Sequence, residues 1–210
     1  RNQVKDSFLK IGELNVQVNP VVASPRAYGY RSKLTPHYEK TKDPRNQKIG
    51  FLRYGTRKVL VDVPHCPIAT DSINKSLSIQ REQKRAGPKG MKKGGTLLLR
   101  EALEGVVTNP KQTVSEKVGK LVFQFKAGEF FQTNPFILKE LVDYVIAEAN
   151  PHQNKSLVDS YCGGGLFGLS AAGQFEKVVG VEISRDGFEG AIMNAKINQI
   201  KNAEFFLGDS

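Results

Sequence analysis

Residues 156–172, SLVDSYCGGGLFGLSAA, read as a strand that runs into a glycine-rich turn and out again into a helix. That order decides the fold, because a strand, a tight turn and a helix in succession make the first half of a βαβ unit. Downstream, KVVGVEI (177–183) reads as a second strand, DGFEGAIMNAKINQI (186–200) as a helix and AEFFLGD (203–209) as a third strand. Upstream, Asn134-Pro135 places an N-cap before a proline at the first helical position. Ile137, Leu141 and Val145 then recur at fourfold spacing until Asn150-Pro151 stops the helix. Strands alternating with helices imply a parallel sheet. A doubly wound domain has about five or six strands, and three are legible before Ser210, so a truncated α/β domain is expected over 126–210.

Residues 1–125 read differently. IGFLRYGTRKVLVDV (49–63) has Gly55 and Thr56 between two strand-like runs, a hairpin pattern. Thr70 to Arg85 reads as a helix capped by Thr70 or Asp71, with Ile73 and Leu77 on one face. AGPKGMKKGG (86–95) reads as an exposed loop, and TLLLRE (96–101) and KLVFQF (120–125) as strands. From Val4 to about Phe125, short strands with turns predict a small antiparallel sheet with one or two helices.

Charge divides along the same line. Residues 1–100 hold 21 Lys and Arg against 7 Asp and Glu, a net of +14, and residues 101–210 hold 10 against 14, a net of −4. Such asymmetry suggests a footprint for a polyanion, with a solvated basic surface as the alternative. Arg26, Tyr30, Arg31, Lys33 and His37 are the candidate contacts to such a polyanion, since cations neutralise phosphates and rings stack on exposed bases; the same alternation of Tyr and Arg also fits a half-buried strand. Lys84, Arg85, Lys89, Lys92 and Lys93 form a second basic cluster, read either as a further phosphate contact or as an ordinary charged loop.

Composition excludes other classes. Hydrophobic residues make up 39%, charged residues 25%, and mean hydropathy is −0.37, which suits a globular protein. No run reaches the roughly 18 apolar residues of a membrane span. The opening RNQVKDSFLK lacks the apolar stretch of a secretory signal. Cys66 and Cys162 are too few for a disulfide framework and have no metal-ligand spacing. An intracellular, reducing location, a monomer, no membrane and no metal are therefore expected.

Gly163, Gly165 and Gly168 satisfy GxGxxG, a string that suits several nucleotide-type cofactors. Asp159, four positions earlier, would repel a pyrophosphate but accept from an amino-bearing ligand. Glu182, 19 positions beyond Gly163, ends the second strand, where an acid accepts both ribose hydroxyls. Ribose recognition fits NAD and S-adenosylmethionine alike, and Asp159 favours the second. Asp209 closes the third strand either as an acceptor for an adenine amino group or as a helix cap.

FQFKAGEFFQTNP (123–135), LVDSYCGGGLFGLSAA (157–172), VVGVEIS (178–184) and AIMNAKINQIKNAEFF (191–206) together resemble the RNA uracil-C5 methyltransferase family, as do SPRAYGYRSKLTPHY (24–38) and CPIATDSIN (66–74). The likeness is nearest to its eukaryotic tRNA type. The resemblance implies a class I methyltransferase domain using S-adenosyl-L-methionine, preceded by a central domain that grips tRNA. It also implies that Gln132 contacts the cofactor, that Tyr161 packs against it and that Glu182 holds its ribose. An amide suits a zwitterionic methionine moiety; Tyr161, without the family, reads as a core aromatic.

Chemistry in this family is covalent. A cysteine thiolate adds to uracil C6, C5 takes the methyl group, and a base removes the C5 proton so that elimination frees the enzyme. By the resemblance both the nucleophile and the base lie after Ser210, so no catalytic residue is expected within the chain. Cys66 and Cys162 read as packed thiols, and two cysteines cannot build the four-cysteine iron-sulfur site of some bacterial relatives. Two other readings stay open: an NAD-type oxidoreductase domain, and a non-catalytic RNA-binding module.

Overall fold

The computed structural model describes residues 1–87, 94–149, 152–153 and 155–209. It opens on helix α1 (Asn2–Ile11), none of whose side chains is buried. Short strands were expected from Val4 onward; a helix forms because Val4, Phe8 and Ile11 recur at helical spacing. Strands β1 (Lys33–Leu34), β2 (His37–Tyr38), β3 (Ile49–Leu52) and β4 (Leu60–Asp62) follow, then helix α2 (Asp71–Arg85). β3 and β4 form the expected hairpin, pairing Gly50 with Asp62 and Leu52 with Leu60. At the start of α2 the Thr70 hydroxyl accepts from the Ile73 N–H, and Ile73 and Leu77 are fully buried against Leu34 and Leu99.

TLLLRE does not form one strand. It divides into β5 (Gly95–Thr96) and β6 (Leu99–Ala102), which join different sheets. The Leu97 N–H donates to Pro36 O at the crossover. β5 closes the sheet β4-β3-β2-β5, and β6 lies between β1 and β7 (Gly105–Val107). The loop expected over 86–95 lies largely outside the described residues.

Strand β8 (Thr113–Val118), which the sequence left unread, pairs with β9 (Leu121–Lys126) around Gly119 at φ +59°. Phe123 and Phe125 on β9 enter one continuous core with Phe131, Leu138, Val142, Leu166, Leu169 and Val178. Phe125 and Phe131 stack with centroids 4.3 Å apart. Full burial of each such ring contributes about 2 to 3 kcal/mol. This core draws on residues from Val107 to Ala195, on both sides of residue 125.

From Pro135 on, the expected order holds: α3 (Pro135–Glu148), β10 (Ser156–Asp159), α4 (Leu166–Ala171), β11 (Lys177–Glu182), α5 (Arg185–Ile197) and β12 (Ala203–Leu207). β10, β11 and β12 form a parallel sheet with β11 in the middle. The Asn134 carboxamide oxygen caps α3 by accepting from the Phe136 N–H. α4 is shorter than its predicted span; the chain tightens over Ala172–Gln174, and Asn202 donates to the carbonyls of Ala172 and Phe175.

Candidate functional site

The glycine turn lies between the end of β10 and the start of α4. Gly163 and Gly165 adopt φ of +52° and +84°, a region that side-chain-bearing residues avoid, and a Cβ on Gly165 would stand 2.8 Å from Leu169. Two carboxylates accept from backbone N–H groups of the turn and of the helix that follows it. Glu182, at the end of β11, accepts from the Gly163 N–H at 2.8 Å and from the Ser184 N–H at 2.7 Å, one on each oxygen. Each oxygen keeps a lone pair for a further donor. Asp159 accepts from the Gly168 N–H at 3.2 Å and from the backbone N–H of Tyr161, while burial pushes its carboxyl up.

Asp159 therefore has a structural role that the sequence did not suggest. It satisfies an N–H in the first turn of α4, the group that a pyrophosphate needs, and so braces the turn. Tyr161 is 79% exposed beside the turn, which removes its reading as a core aromatic. Ile183, directly after Glu182, is 70% exposed. Asp209 is exposed and lies two residues past the end of β12.

Gln132 is half-buried between β9 and α3, and the backbone on either side of it is pinned. Phe131 is locked in the core, and Thr133 O accepts from both the Ser32 N–H at 2.9 Å and the Ser32 hydroxyl at 3.2 Å. Just upstream, Lys33 Nζ donates to Gly128 O at 2.8 Å and Glu129 O at 3.0 Å. Arg100, 1% exposed, donates through Nη2 to Glu129 O at 2.9 Å. Burial and the neighbouring Arg100 charge push the Lys33 ammonium down.

Lys33 is thus engaged in holding the segment that carries Gln132. Arg31 Nε donates to Lys33 O at 3.0 Å, and the Arg26 guanidinium lies 3.9 Å over the Phe136 ring. His37 Nδ1 shares a 2.9 Å hydrogen bond with the Thr96 hydroxyl, and Tyr30 is half-buried. The sequence reading missed a better-exposed group at the β3–β4 turn. There Arg53, Arg57 and Lys58 are exposed close in sequence to the fully exposed Tyr54, on a turn braced by Thr56 N–H donating to Arg53 O at 3.0 Å. The signal is present in RYGTRK, three cations and a ring with no acid, but the hairpin pattern masks it.

Both cysteines are buried. Burial, together with the charges of Asp159 and Glu182, pushes the Cys162 thiol up to about 12, which leaves it protonated and unreactive near neutrality. Among the described residues no group of three or more His, Cys, Asp or Glu is placed to hold a metal ion, and no helix is long and apolar enough to cross a membrane.

Where the basic part meets the core, a cavity of about 350 Å³ is lined by Arg26, Ser32, Thr70, Glu101, Glu116 and Phe136. Burial pushes the Glu116 carboxyl from 4.5 up to about 7; the Arg100 charge pulls against this, and Glu101 and Glu104 add to it. A carboxyl whose pKa is higher in the folded state binds its proton more tightly there. Its contribution is therefore full below about 4.5 and is lost as pH rises through about 7. Glu116→Gln is expected to flatten the decline in urea midpoint over that window, and a variant with the wild-type slope would contradict the assignment.

Residues 106–207 match the model of the tRNA (uracil-5-)-methyltransferase family. Over that span the chain is similar to this family. A Schizosaccharomyces pombe tRNA (uracil(54)-C(5))-methyltransferase is 39% identical over 92% of the chain, and the Saccharomyces cerevisiae protein of the same name is 34% identical over 89%. In both cases the alignment covers 39% of the relative, so the chain spans about two fifths of the length of these family members. A Pyrococcus abyssi tRNA (uracil-54, C5)-methyltransferase, solved in complex with S-adenosyl-L-homocysteine, shares the fold. Its TM-score is 0.69 at 21% identity, over 98% of this chain and 61% of that one.

Proposed function

We propose that this chain is the cofactor-binding and RNA-gripping part of an S-adenosyl-L-methionine-dependent enzyme that methylates uridine at C5 in tRNA, built as an incomplete class I methyltransferase domain behind a basic, mainly antiparallel part. The observation that carries the choice of cofactor is the carboxylate on each side of the glycine turn. With Glu182 on the Gly163 N–H and Asp159 on the Gly168 N–H, two donors that would bind a pyrophosphate are already satisfied by anions, which also repel it. That arrangement disfavours NAD and leaves Glu182 with lone pairs for ribose hydroxyls.

The residues present fit the group. Glu182 would hold the ribose, Gln132 the methionine moiety, and the exposed Tyr161 would cover the ligand; Gly163 and Gly165 keep the turn open, and Asp209 lies near the sheet's carboxyl end. When bound, the cofactor supplies an electrophilic methyl group. Within the described residues neither thiol can add to uracil C6, since Cys162 is held protonated and Cys66 is buried with its N–H on Asn74. The nucleophile and the base that removes the C5 proton are proposed to lie outside residues 1–210.

The basic part is proposed to neutralise tRNA phosphates through Arg26, Arg31 and the β3–β4 turn, with Tyr30 and His37 beside them and Lys33 retained for the segment before Gln132. Two measurements test the whole. Isothermal titration is expected to give heat with S-adenosylhomocysteine and none with NAD, and the reverse would favour an oxidoreductase. Joint replacement of Arg53, Arg57 and Lys58 by alanine is expected to weaken tRNA binding and reduce the slope of log affinity against log salt by about 2 to 3, roughly 0.9 for each phosphate no longer neutralised. An unchanged slope would remove the turn from the interface.

A further inference from the structure

Asn194 in the last turn of α5 and Asn198, the residue that caps its C-terminus, both reach the edge of β9. Asn198 Oδ1 accepts from the Val122 N–H at 2.9 Å, while its Nδ2 donates to Val122 O at 2.8 Å. Asn194 repeats the pattern two residues along the strand: Oδ1 accepts from the Gln124 N–H at 2.7 Å and Nδ2 donates to Gln124 O at 3.1 Å. Each carboxamide imitates the donor and acceptor of a neighbouring strand, so α5 completes the β9 edge where a further strand would pair.

Beyond this the two differ. Asn198 Nδ2 turns its remaining donor back to Asn194 O at 2.8 Å, within the helix. Asn194, 1% exposed, instead donates to Gly164 O at 2.9 Å, in the centre of the glycine turn. It therefore joins the turn to β9, the strand that leads through Ala127 and Gly128 to Gln132. At the far side of the turn Glu182 fixes Gly163, so the carbonyl of Gly164 and the N–H of its neighbour are held from two directions. We propose that Asn194 is a positioning residue for cofactor binding, holding the glycine turn at a fixed depth against the strand that carries Gln132. It touches no ligand and acts through Gly164.

The inference rests on the cofactor reading above, and a matched pair of variants separates the two. Asn194→Asp and Asn198→Asp are isosteric, and each replaces two donated hydrogen bonds to carbonyls by oxygen facing oxygen; only the first involves the turn. Asn194→Asp is expected to lower S-adenosylhomocysteine affinity at least tenfold by isothermal titration, and Asn198→Asp to leave it within twofold. In the ligand-free protein, hydrogen exchange at the amides of Gly163 and Gly165 is expected to quicken at least tenfold in Asn194→Asp and to stay near wild type in Asn198→Asp. Equal effects of the two variants on affinity and on exchange would reduce Asn194 to a general structural contact and overturn the proposal. If wild type itself takes up no S-adenosylhomocysteine, the cofactor reading falls and the positioning role falls with it; the exchange comparison then reports separately whether the clamp holds the turn.

Discussion

Arg100→Ala is expected to lower the melting temperature by roughly 10 °C, the largest single-site loss of stability in this fold. The side chain enters from β6 and is 1% exposed. It donates to Glu129 O at 2.9 Å and Ala127 O at 3.4 Å, and its guanidinium lies 5.2 Å from the Phe125 centroid. Burial pushes its pKa down to about 10, with Glu116 pulling the other way, so the charge persists at neutral pH. Alanine would remove the cation and the packed stem, take the arginine donor from Ala127 O, leave Glu129 O with Lys33 alone, and take away the charge that restrains Glu116. Losing one partner of such a buried arrangement costs about 3 to 5 kcal/mol. For a chain of this size each kcal/mol shifts the melting temperature by about 2 to 4 °C.

Lysine would not replace this arginine, because it lacks the planar fork that reaches the two carbonyls from separate nitrogens and lies near the Phe125 ring, and Arg100→Lys is expected to recover less than half of the loss. The Glu116 carboxyl should rise further in Arg100→Ala, moving the pH-dependent decline in stability upward. Differential scanning calorimetry at two pH values checks both statements. A melting temperature within 2 °C of wild type would show that water or neighbouring groups satisfy the freed carbonyls.

Arg100 also shows where reading a sequence stops. A strand residue in TLLLRE is easily placed, but its partners are backbone carbonyls 27 and 29 positions away, which carry no side-chain signature. Lys33 reads as a phosphate contact for the same reason: its charge is visible in the sequence and its two carbonyl acceptors are not. By contrast, the α3 cap, the β3–β4 hairpin and the three parallel strands are legible because each is written in local chemistry, a proline at the first helical position, a glycine turn, or alternation of apolar residues. β8 escapes because VSEKV is polar on one face, although Val114 and Val118 both turn inward. Asn194 does leave a trace. A residue of poor helix propensity inside α5, it implies that its face has hydrogen-bonding work, and the partner of that work needs the fold.

The glycine turn is legible as a motif, yet its electrostatics are not. Both acids beside it read as waiting for a ligand, and the structure gives each of them backbone donors first. For Glu182 the two roles are compatible, because a carboxylate oxygen accepts more than one hydrogen bond; Asp159, half-buried against the start of α4, accepts from the Gly168 N–H by the same chemistry.

Glu182→Gln is expected to reduce S-adenosylhomocysteine affinity about a hundredfold, equivalent to roughly 2.7 kcal/mol. The carboxylate has an N–H on each oxygen, Gly163 on one and Ser184 on the other, so it closes a bridge between the turn and the start of α5. An amide of the same shape offers one oxygen and one NH₂. Whichever way it is placed, a donor then faces a donor, and either Gly163 or Ser184 loses its acceptor while the ribose loses half of its own. A lost hydrogen bond to a charged acceptor is worth about 1.5 to 3 kcal/mol, so the turn and the ligand share a penalty of the size expected. Folding should suffer less, because the turn is partly exposed and water reaches the freed N–H. The expected pattern is therefore a hundredfold loss in isothermal titration with a melting temperature that falls by only a few degrees. Glu182→Asp, whose shorter stem reaches the turn less well, should keep its charge and fall between the two. If Glu182→Gln bound S-adenosylhomocysteine within threefold of wild type, Glu182 would be a brace for the turn alone, and the ribose contact would have to come from elsewhere.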